Sequence, residues 1–497
     1  MSLVLTPNIT RITVMLATLC FSLAGTAQTE RLALPDMGAS SDTILSRKQE
    51  EEYAKALLRQ MRAYEVLNED PLIAGFFEDM GYRLVAHSDR PDKAFTFTVI
   101  DQPVVNAFAA PGGVVALYSG LILAADDESE VAGVLSHEIA HITQQHLYRA
   151  IENQKAMTIP LMLAMAGLVL AGGGSGEAIQ GALIGGAAAA QQAQIYFTRQ
   201  NEIEADRIAM QTLYQAGYDP SGMGEFFEKM NRITRPMGEG PPEFLRTHPV
   251  TVSRIAEADN RAANMPKPPP SDGRDFYLVQ ARVRALGEEY PDTALDYFRY
   301  QSERADITQA QQDALDYGSA IALQRKGEYA EARILLGSLM DRNQHLAYEL
   351  QLADVDLASG QVDLALERLA GLYRAFAGNY AISMAYSRAL LYENVPGRAE
   401  TASNILRRQL LNQPDNPNLY ALYASALNTA GDTVRAKEAI AESYYLRGNT
   451  HQAITQLQEL VDSHDLDYYQ RARITARLNE LQIEVVKLGL EENPPPE

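Results

Sequence analysis

The sequence has little cysteine, no tryptophan and a shortage of basic residues. Its 497 residues include one cysteine, Cys20, so disulfide bonds within the chain cannot hold the fold together. Lys and Arg number 43 against 64 Asp and Glu, which gives a formal net charge of −21. A surface this acidic repels phosphate backbones, and we expect no nucleic-acid partner. The absence of tryptophan excludes no fold class, whereas 46 % apolar residues exclude a wholly disordered chain.

Residues 1–27 are predicted to form a secretory signal peptide. Arg11 is followed by an apolar run over residues 12–25, and the small residues ending at Ala27 provide a cleavage site. A membrane anchor is the alternative, but the run is shorter than a bilayer span and no basic stop-transfer segment follows it. We therefore expect cleavage near Ala27 and a mature, cysteine-free protein in the periplasm.

Hydrophobic periodicity predicts a mixed α/β region followed by an entirely helical one. Helices are expected over 49–62, 71–86 and 126–151, and strands over 95–99 and 114–118. Four prolines between Met265 and Pro270 cannot continue a helix, so they mark a linker with few contacts across it. The expected division is signal peptide 1–27, first domain 28–264, proline-rich linker 265–274, helical repeat domain 275–485 and disordered tail 486–497.

The region after the linker repeats a glycine that is followed five residues later by an alanine. The pairs are Gly327 with Ala332, Gly360 with Ala365, Gly431 with Ala436, and Gly448 with Ala453. Glycine permits a tight turn and alanine permits close helix packing, which favours helical hairpins. The region resembles tetratricopeptide repeats, whose period is about 34 residues and which stack into an α-solenoid with a concave binding face. An ordinary helical bundle is the alternative.

His137-Glu138-x-x-His141, inside the predicted helix 126–151, indicates a metal site. Histidines four residues apart share one helix face, so both imidazoles can bind one ion. Glu138 lies beside them and can take a proton from water. Two surface histidines are the alternative, but the flanking residues are apolar, and buried polar groups need partners.

An acidic segment further along the chain offers a third ligand. Glu202 and Asp206 are four residues apart and share a helix face, so one could bind the metal while the other orients a ligand imidazole. Glu204 points elsewhere on the same helix. A solvated acidic face is the alternative interpretation of this segment.

Together these motifs resemble the gluzincin metallopeptidases of the CAAX-prenyl-protease and HtpX type. The segment from Asn106 to Gly113 with the strand after it, Ser119-Gly120-Leu121, and Thr247-His248-Pro249 with Arg254 are similar to the same family. The resemblance implies an α+β, mainly α fold, in which a minimal zincin domain with a small β-sheet precedes the α-solenoid of repeats.

The resemblance also implies one Zn²⁺ per chain and a role for each motif residue. His137, His141 and Glu202 would be the zinc ligands and Glu138 the general base. Asp206 would orient a ligand imidazole without itself binding the metal. His146, Arg199 and Glu204 are not carried over as ligands.

A third histidine and a strand complete the expected site. By resemblance His248 lies over the metal, where it either closes the open coordination position or, with Arg254 nearby, stabilises an oxyanion. Without the resemblance, a surface histidine is the simpler interpretation. Strand 114–118 is expected to be a sheet edge on which an extended substrate adds as another strand. The expected substrate-strand residues are Asn106, Gly113, Val114 and Ala116.

The sequence therefore predicts a periplasmic zinc endopeptidase. By resemblance it degrades misfolded or stalled outer-membrane β-barrel proteins and assists their assembly, with the outer-membrane assembly machinery docked on the repeats. A repeat scaffold or chaperone with a latent or structural metal site is one alternative, and a membrane-anchored peptidase is another. Residues 156–198 contain two uncharged stretches around Glu177, which we expect to be helices near the cleft that could touch a membrane surface.

Overall fold

The computed structural model describes residues 45–152, 199–234, 243–463 and 466–488. The predicted signal peptide, the uncharged stretches within 156–198 and most of the predicted tail lie outside the described residues. The described chain is mainly helical with a small four-stranded sheet, so the predicted fold class is confirmed. None of the described helices is long and apolar enough to span a membrane.

The N-terminal region, residues 45–263, contains the sheet. Its strands are β1 (Leu67–Asn68), β2 (Thr96–Ile100), β3 (Ala107–Ala110) and β4 (Val114–Tyr118), in the spatial order β1-β2-β4-β3. Its described helices are α1 (Arg47–Ala63), α2 (Pro71–Ala86), α3 (Ser119–Ala124), α4 (Glu128–Thr143), α5 (His146–Glu152), α6 (Arg199–Gln215), α7 (Ser221–Thr234), α8 (Glu243–Thr247) and α9 (Val252–Ala263).

The first two helices form where the sequence predicts them, because each carries a start signal. Ser46 and Gln49 form a reciprocal capping box at the beginning of α1. At the beginning of α2, the Asp70 carboxylate accepts hydrogen bonds from the backbone N–H groups of Leu72 (3.0 Å) and Ile73 (3.2 Å), and Pro71 occupies the first turn.

Strand β4 lies inside the sheet rather than at its edge. It pairs in parallel with β2 and antiparallel with β3, and all five of its residues are buried. The expectation that Val114 and Ala116 lie on an edge strand is therefore wrong. Their continuous apolar run is typical of a strand covered on both faces, and the edge next to β4 is formed by β3. Gly113 belongs to the turn between β3 and β4, where its φ is +78°.

The expected continuous helix over 126–151 is two helices. The Asp127 side chain caps α4, which ends at Thr143. Gln145 has a φ of +58°, in the left-handed region that an α-helix cannot include, and α5 then begins at His146. The apolar pattern continues across the break, and no glycine or proline marks it, so periodicity alone cannot find it.

The repeat region, residues 274–488, consists of helices in its described part, and neighbouring helices pack in sequence. They are α10 (Arg274–Gly287), α11 (Pro291–Ser302), α12 (Gln309–Lys326), α13 (Tyr329–Arg342), α14 (Leu346–Ala358), α15 (Val362–Ala375), α16 (Tyr380–Leu391), α17 (Pro396–Asn412), α18 (Pro417–Thr429), α19 (Thr433–Leu446), α20 (Thr450–Asp462) and α21 (Tyr468–Leu488).

The glycine–alanine pairs have the local roles that the pattern predicts. Gly327, Gly360, Gly431 and Gly448 all have positive φ, between 78° and 91°, at the ends of helices. A glycine in this conformation ends a helix without steric cost. The paired alanines are buried where the next helix packs against its neighbours.

The expected scarcity of contacts across the linker is wrong. Residues 265–273 have no regular structure, but α10 packs into the core of the N-terminal region through Phe276, Val279 and Val283. Prolines interrupt local backbone hydrogen bonding, yet they place no limit on tertiary contacts made by the helix that follows. The N-terminal region therefore completes its core with a helix assigned by sequence to the repeats.

The last repeats also contact the N-terminal region, through α1. The Arg59 guanidinium donates to the Tyr445 hydroxyl (2.8 Å) and pairs with Glu484. The turn at Gly448 lies so close to α1 that a Cβ atom there would be 2.8 Å from the Ala63 Cβ. Both ends of the repeat region thus contact the first domain, and a cavity of about 600 Å³ lies between them.

A mostly buried ion pair joins α10 to α2. Arg282 donates to both Asp70 oxygens, at 2.9 and 2.7 Å, and also to the Tyr317 hydroxyl and Gln351 Oε1, each at 3.0 Å. Burial alone would raise the pKa of Asp70, but Arg282 and the backbone N–H groups at the start of α2 hold it below its usual value. The pair therefore stabilises the fold above that usual pKa and loses its effect as the pH falls through the depressed pKa.

We predict that Arg282→Ala lowers the free energy of unfolding at pH 7 by about 3–5 kcal/mol, because it leaves Asp70 buried without its partner. The measurement is denaturant unfolding of the full chain, repeated at acidic pH, where protonation of Asp70 should narrow the difference from wild type. Arg304→Ala, which breaks the exposed pair with Asp306, is the control and should change little. Equal effects of the two variants would contradict the prediction.

Candidate active site

Helix α4 presents the two motif histidines on one buried face. Every residue from Glu130 to Thr143 is buried, and His137 and His141 lie one turn apart with their Nε2 atoms separated by 3.0 Å. A histidine pair with both Nε2 atoms directed to one point can bind a single ion. The helical face expected from the sequence is therefore the face observed.

Helix α6 and the segment after α8 bring two further donors to the same point. The Glu202 oxygens lie 3.5 Å from His137 Nε2 and 3.4 Å from His141 Nε2. His248 follows α8, and its Nδ1 is 3.2 Å from Glu202 Oε1 and 3.4 Å from His137 Nε2. One donor atom from each of these four buried residues falls within 4.8 Å of all the others. Imidazole nitrogens with one carboxylate fit a divalent metal such as zinc.

Behind these donors, Asp206 and Arg254 form an ion pair. His137 Nδ1 lies 3.0 Å from Asp206 Oδ1, which is where sequence reasoning expects a residue that orients a ligand imidazole. Arg254 donates two hydrogen bonds of 2.7 Å to Asp206, and its Nη1 is 2.8 Å from Glu202 Oε2. The structure thus places Arg254 against the two carboxylates, not in the position expected of a group that helps to bind an oxyanion.

The buried charges shift the pKa values of the ligands strongly. Burial lowers the pKa of His137, but Asp206 and Glu202 outweigh it and raise the pKa to about 10. Burial and the neighbouring histidines lower the pKa of His141. Burial would raise the pKa of Glu202, but hydrogen bonds with His137 and His248 hold it well below its usual range. The site therefore attracts positive charge, which a divalent cation can supply in place of a proton.

Glu138 is fully buried beside the donor cluster. Neither of its carboxylate oxygens has a hydrogen-bond partner in the part of the chain that the structure describes. The imidazole of His248 lies beside it, with Nε2 3.5 Å from Glu138 Oε1. Buried polar atoms without partners are costly and occur at sites where water or a substrate completes the bonding. This environment suits the general base predicted from the sequence.

The edge strand β3 packs against α4, the helix that carries His137 and His141. The Asn106 carbonyl accepts a hydrogen bond from Tyr118 N (3.1 Å), so strict alternation directs the backbone groups of Ala107 and Ala109 away from β4. The Asn106 side chain accepts from Ala107 N (2.9 Å), which leaves the Ala109 N–H as an outward donor. Sequence reasoning missed β3, although the Pro-Gly-Gly turn between it and β4 signals a hairpin.

Two residues excluded from the predicted ligand set also lie near the site. His146 lies against His141, with 3.0 Å between their Nδ1 atoms, and its Nε2 is 3.2 Å from Glu204 Oε2. No sequence signal could have found this contact, because it depends on the break at Gln145.

The prediction that His248 is buried over the cluster, rather than on the surface, agrees with its 2 % exposure.

A buried His-Glu-x-x-His helix, a carboxylate from a second helix and an adjacent sheet edge together define a metal-dependent endopeptidase. The family model described as Peptidase family M48 matches residues 74–262 of this chain. The chain is 35 % identical over 450 residues to the β-barrel assembly-enhancing protease of Escherichia coli, covering 90 % of this chain and 91 % of that protein. The chain belongs to peptidase family M48, and the predicted class, a zinc metalloendopeptidase, is confirmed.

Other relatives cover the chain to different extents. A putative β-barrel assembly-enhancing protease of Vibrio cholerae is 32 % identical over 468 residues, which is 93 % of this chain and 95 % of that one. The mitochondrial metalloendopeptidase OMA1 of Schizosaccharomyces pombe is 31 % identical over 177 residues, which is 36 % of this chain and 49 % of that one. A crystal structure of the P58(IPK) TPR domain matches at 13 % identity and a TM-score of 0.17, covering 69 % of this chain and 98 % of that one.

We predict that His137→Ala, His141→Ala and Glu202→Ala each lower bound metal far below one ion per chain, because each removes a donor from the cluster. Glu138→Gln should keep the metal and lose peptide cleavage, because Glu138 is not among the clustered donors. Elemental analysis of the purified proteins and casein hydrolysis are the measurements. Glu225→Gln, on the exposed face of α7, is the control, and stoichiometric metal in Glu202→Ala would remove Glu202 from the ligand set.

Proposed function

We propose that the chain is an exported zinc endopeptidase that cleaves misfolded or stalled outer-membrane β-barrel proteins in the periplasm and assists their assembly. The observation that carries the proposal is the convergence of His137, His141 and Glu202 beside the buried carboxylate of Glu138, which has no hydrogen-bond partner among the described residues. Zinc is the ion favoured by this donor set, which offers two imidazoles, one carboxylate and a further position for a reactant or for His248.

The residues of the site divide the work of peptide hydrolysis. His137, His141 and Glu202 would hold the zinc ion, which would supply a Lewis acid for the scissile carbonyl and for water. Glu138 accepts the proton of the attacking water and then delivers it to the leaving amine. Asp206 and Arg254 keep His137 and Glu202 oriented, so the reacting groups need not reorganise during the reaction.

The edge strand β3 supports a preference for extended, unfolded substrates. Its outward backbone groups can pair with a peptide that adds as another strand, and these hydrogen bonds require little of the peptide's side chains. A folded barrel has its strands paired already, whereas a stalled or misfolded one exposes unpaired strands. Substrates would thus be selected by their conformational state more than by their sequence.

Export and partner docking are the parts of the proposal that rest on the sequence pattern. The signal-peptide pattern of residues 1–27 supports transport to the periplasm. The repeat region and the cavity of about 600 Å³ between it and the first domain offer a surface for the outer-membrane assembly machinery. The name of the Escherichia coli relative, β-barrel assembly-enhancing protease, is consistent with this kind of partner.

The test compares wild type with Glu138→Gln, both purified without the signal peptide. We expect zinc in both proteins and cleavage of casein and of an unfolded outer-membrane protein by wild type alone. In cells lacking the endogenous gene, Glu138→Gln should accumulate stalled barrel proteins and co-purify with the assembly machinery. Zinc without cleavage of either substrate by wild type would favour a scaffold with a structural metal.

We predict that Ala109→Pro lowers the rate of cleavage of unfolded substrates, because proline removes the outward N–H that a substrate strand would bind. Ala109→Val is the matched control, since it keeps the N–H and suits a strand. Bound zinc should be equal in the two variants. Cleavage by Ala109→Pro at the Ala109→Val rate would show that substrates do not pair with β3.

We predict that His248→Ala raises casein cleavage and self-cleavage without loss of zinc. Its Nδ1 lies within the donor cluster, so the imidazole can occupy the position that a substrate needs. His87→Ala, on an exposed histidine far along the chain from the motifs, is the control. A fall in rate of about 10²–10³-fold would instead assign His248 an oxyanion-binding role, and an unchanged rate would exclude both.

A further inference from the structure

His146 is a buried histidine for which the proposed mechanism has no use. It is 0 % exposed and begins α5, directly after the break at Gln145. Its two ring nitrogens lie against two partners: Nδ1 is 3.0 Å from His141 Nδ1, and Nε2 is 3.2 Å from Glu204 Oε2. The imidazole therefore lies between a metal ligand and a carboxylate.

The identity of the metal-binding nitrogen fixes the direction of these hydrogen bonds. His141 Nε2 faces the cluster, 3.4 Å from Glu202 Oε1, so this nitrogen offers its lone pair to the metal. The proton of the neutral ring is then on Nδ1, which is placed to donate it to His146 Nδ1, 3.0 Å away. His146 accordingly carries its own proton on Nε2 and donates it to the Glu204 carboxylate. Each donor in this series has one matching acceptor.

The break between α4 and α5 is what creates the contact. In a continuous helix, residue 146 would follow residue 141 by five positions, or about 140° around the axis, and would point away from the metal-binding face. The left-handed conformation of Gln145 is unusual for a residue other than glycine and is strained. Strain of this kind persists where the surrounding structure requires it, and here it turns His146 back toward His141.

We propose that His146, held by Glu204, is a positioning residue that fixes the ring orientation and tautomer of the metal ligand His141. His137 has the equivalent support from Asp206. The proposal rests on the metal site of the proposed function and adds the residues that support its second histidine. Residues that support metal ligands in this way typically change metal affinity by about 10–100-fold when they are replaced.

The test measures zinc affinity by competition with a chromogenic chelator, and the visible absorption spectrum of the Co²⁺-loaded protein. His146→Leu removes both hydrogen bonds and should weaken zinc binding about 10–100-fold and shift the Co²⁺ bands. His146→Asn places an amide oxygen near the position of Nδ1, so it can still accept the His141 proton and should recover most of the affinity. Recovery of zinc affinity in His146→Asn would show that His146 acts through its hydrogen bond to His141 and not only through packing.

Substitutions at two further residues, Glu204 and Gln145, test the hydrogen bond to Glu204 and the break between α4 and α5. Glu204→Ala should weaken zinc binding less than His146→Leu, because it leaves the bond between the histidines in place. Gln145→Gly suits a positive φ and should bind zinc like wild type, whereas the β-branched Gln145→Val should bind it more weakly. Glu225→Gln and His87→Leu are matched controls for charge and for loss of an imidazole, and both should behave as wild type.

The outcomes separate this proposal from the proposed function. Zinc affinity and Co²⁺ bands in His146→Leu equal to those of wild type would overturn the positioning role while leaving the peptidase intact. Failure of His146→Asn to recover affinity, with its far-ultraviolet circular dichroism unchanged, would also overturn it. A wild-type protein that binds neither metal would instead contradict the proposed function. If His146→Leu fails to fold, zinc affinity is compared in His146→Asn and Glu204→Ala. Affinity close to wild type in His146→Asn and weaker binding in Glu204→Ala would support the positioning role, and the reverse would overturn it.

Discussion

The structure depends on the compensation of negative charge buried beside His137 and His141. Glu202 and Asp206 come from one helix and are both buried, and an ionised carboxylate away from water costs several kcal/mol unless it is paired. Arg254 binds both of them, and it reaches them from α9. The remaining charge attracts a positive charge between Glu202 and the histidines of α4, which either a proton or a metal cation can supply. The pairing of these charges therefore holds α4, α6 and α9 together, in addition to their apolar packing.

Charge compensation of this kind requires a rigid support, and the repeat region supplies part of it. Helix α10 closes the core of the N-terminal region with Phe276, while Arg282 pairs with the carboxylate that caps α2. Helix α2 in turn packs on the metal-binding helix α4. The proline-rich segment separates two kinds of local sequence, but it does not separate two independent cores. A peptidase region cut at the linker would lose a helix of its own core.

The sequence predicted the parts of the site that depend on short spacing. His137 and His141 share a face because four residues make about one helical turn, and the same spacing links Glu202 with Asp206. Spacing alone could not decide which carboxylate binds the metal. The central position of β4 and the left-handed residue at Gln145 escaped prediction, because strand order is set by distant pairing and a polar residue gives no sign of a break.

The two histidines of the motif are supported from different directions. Asp206 holds His137 from within the core, where Arg254 fixes it in turn. His141 is contacted by α5, and α5 is held to α1 by the hydrogen bond from the Tyr148 hydroxyl to Glu50. Helix α1 is also the helix that the last repeats contact through Arg59. Helix α1 therefore contacts both α5, which lies against His141, and the last repeats. The position of His141 and the packing of the repeats on the first domain depend on the same helix.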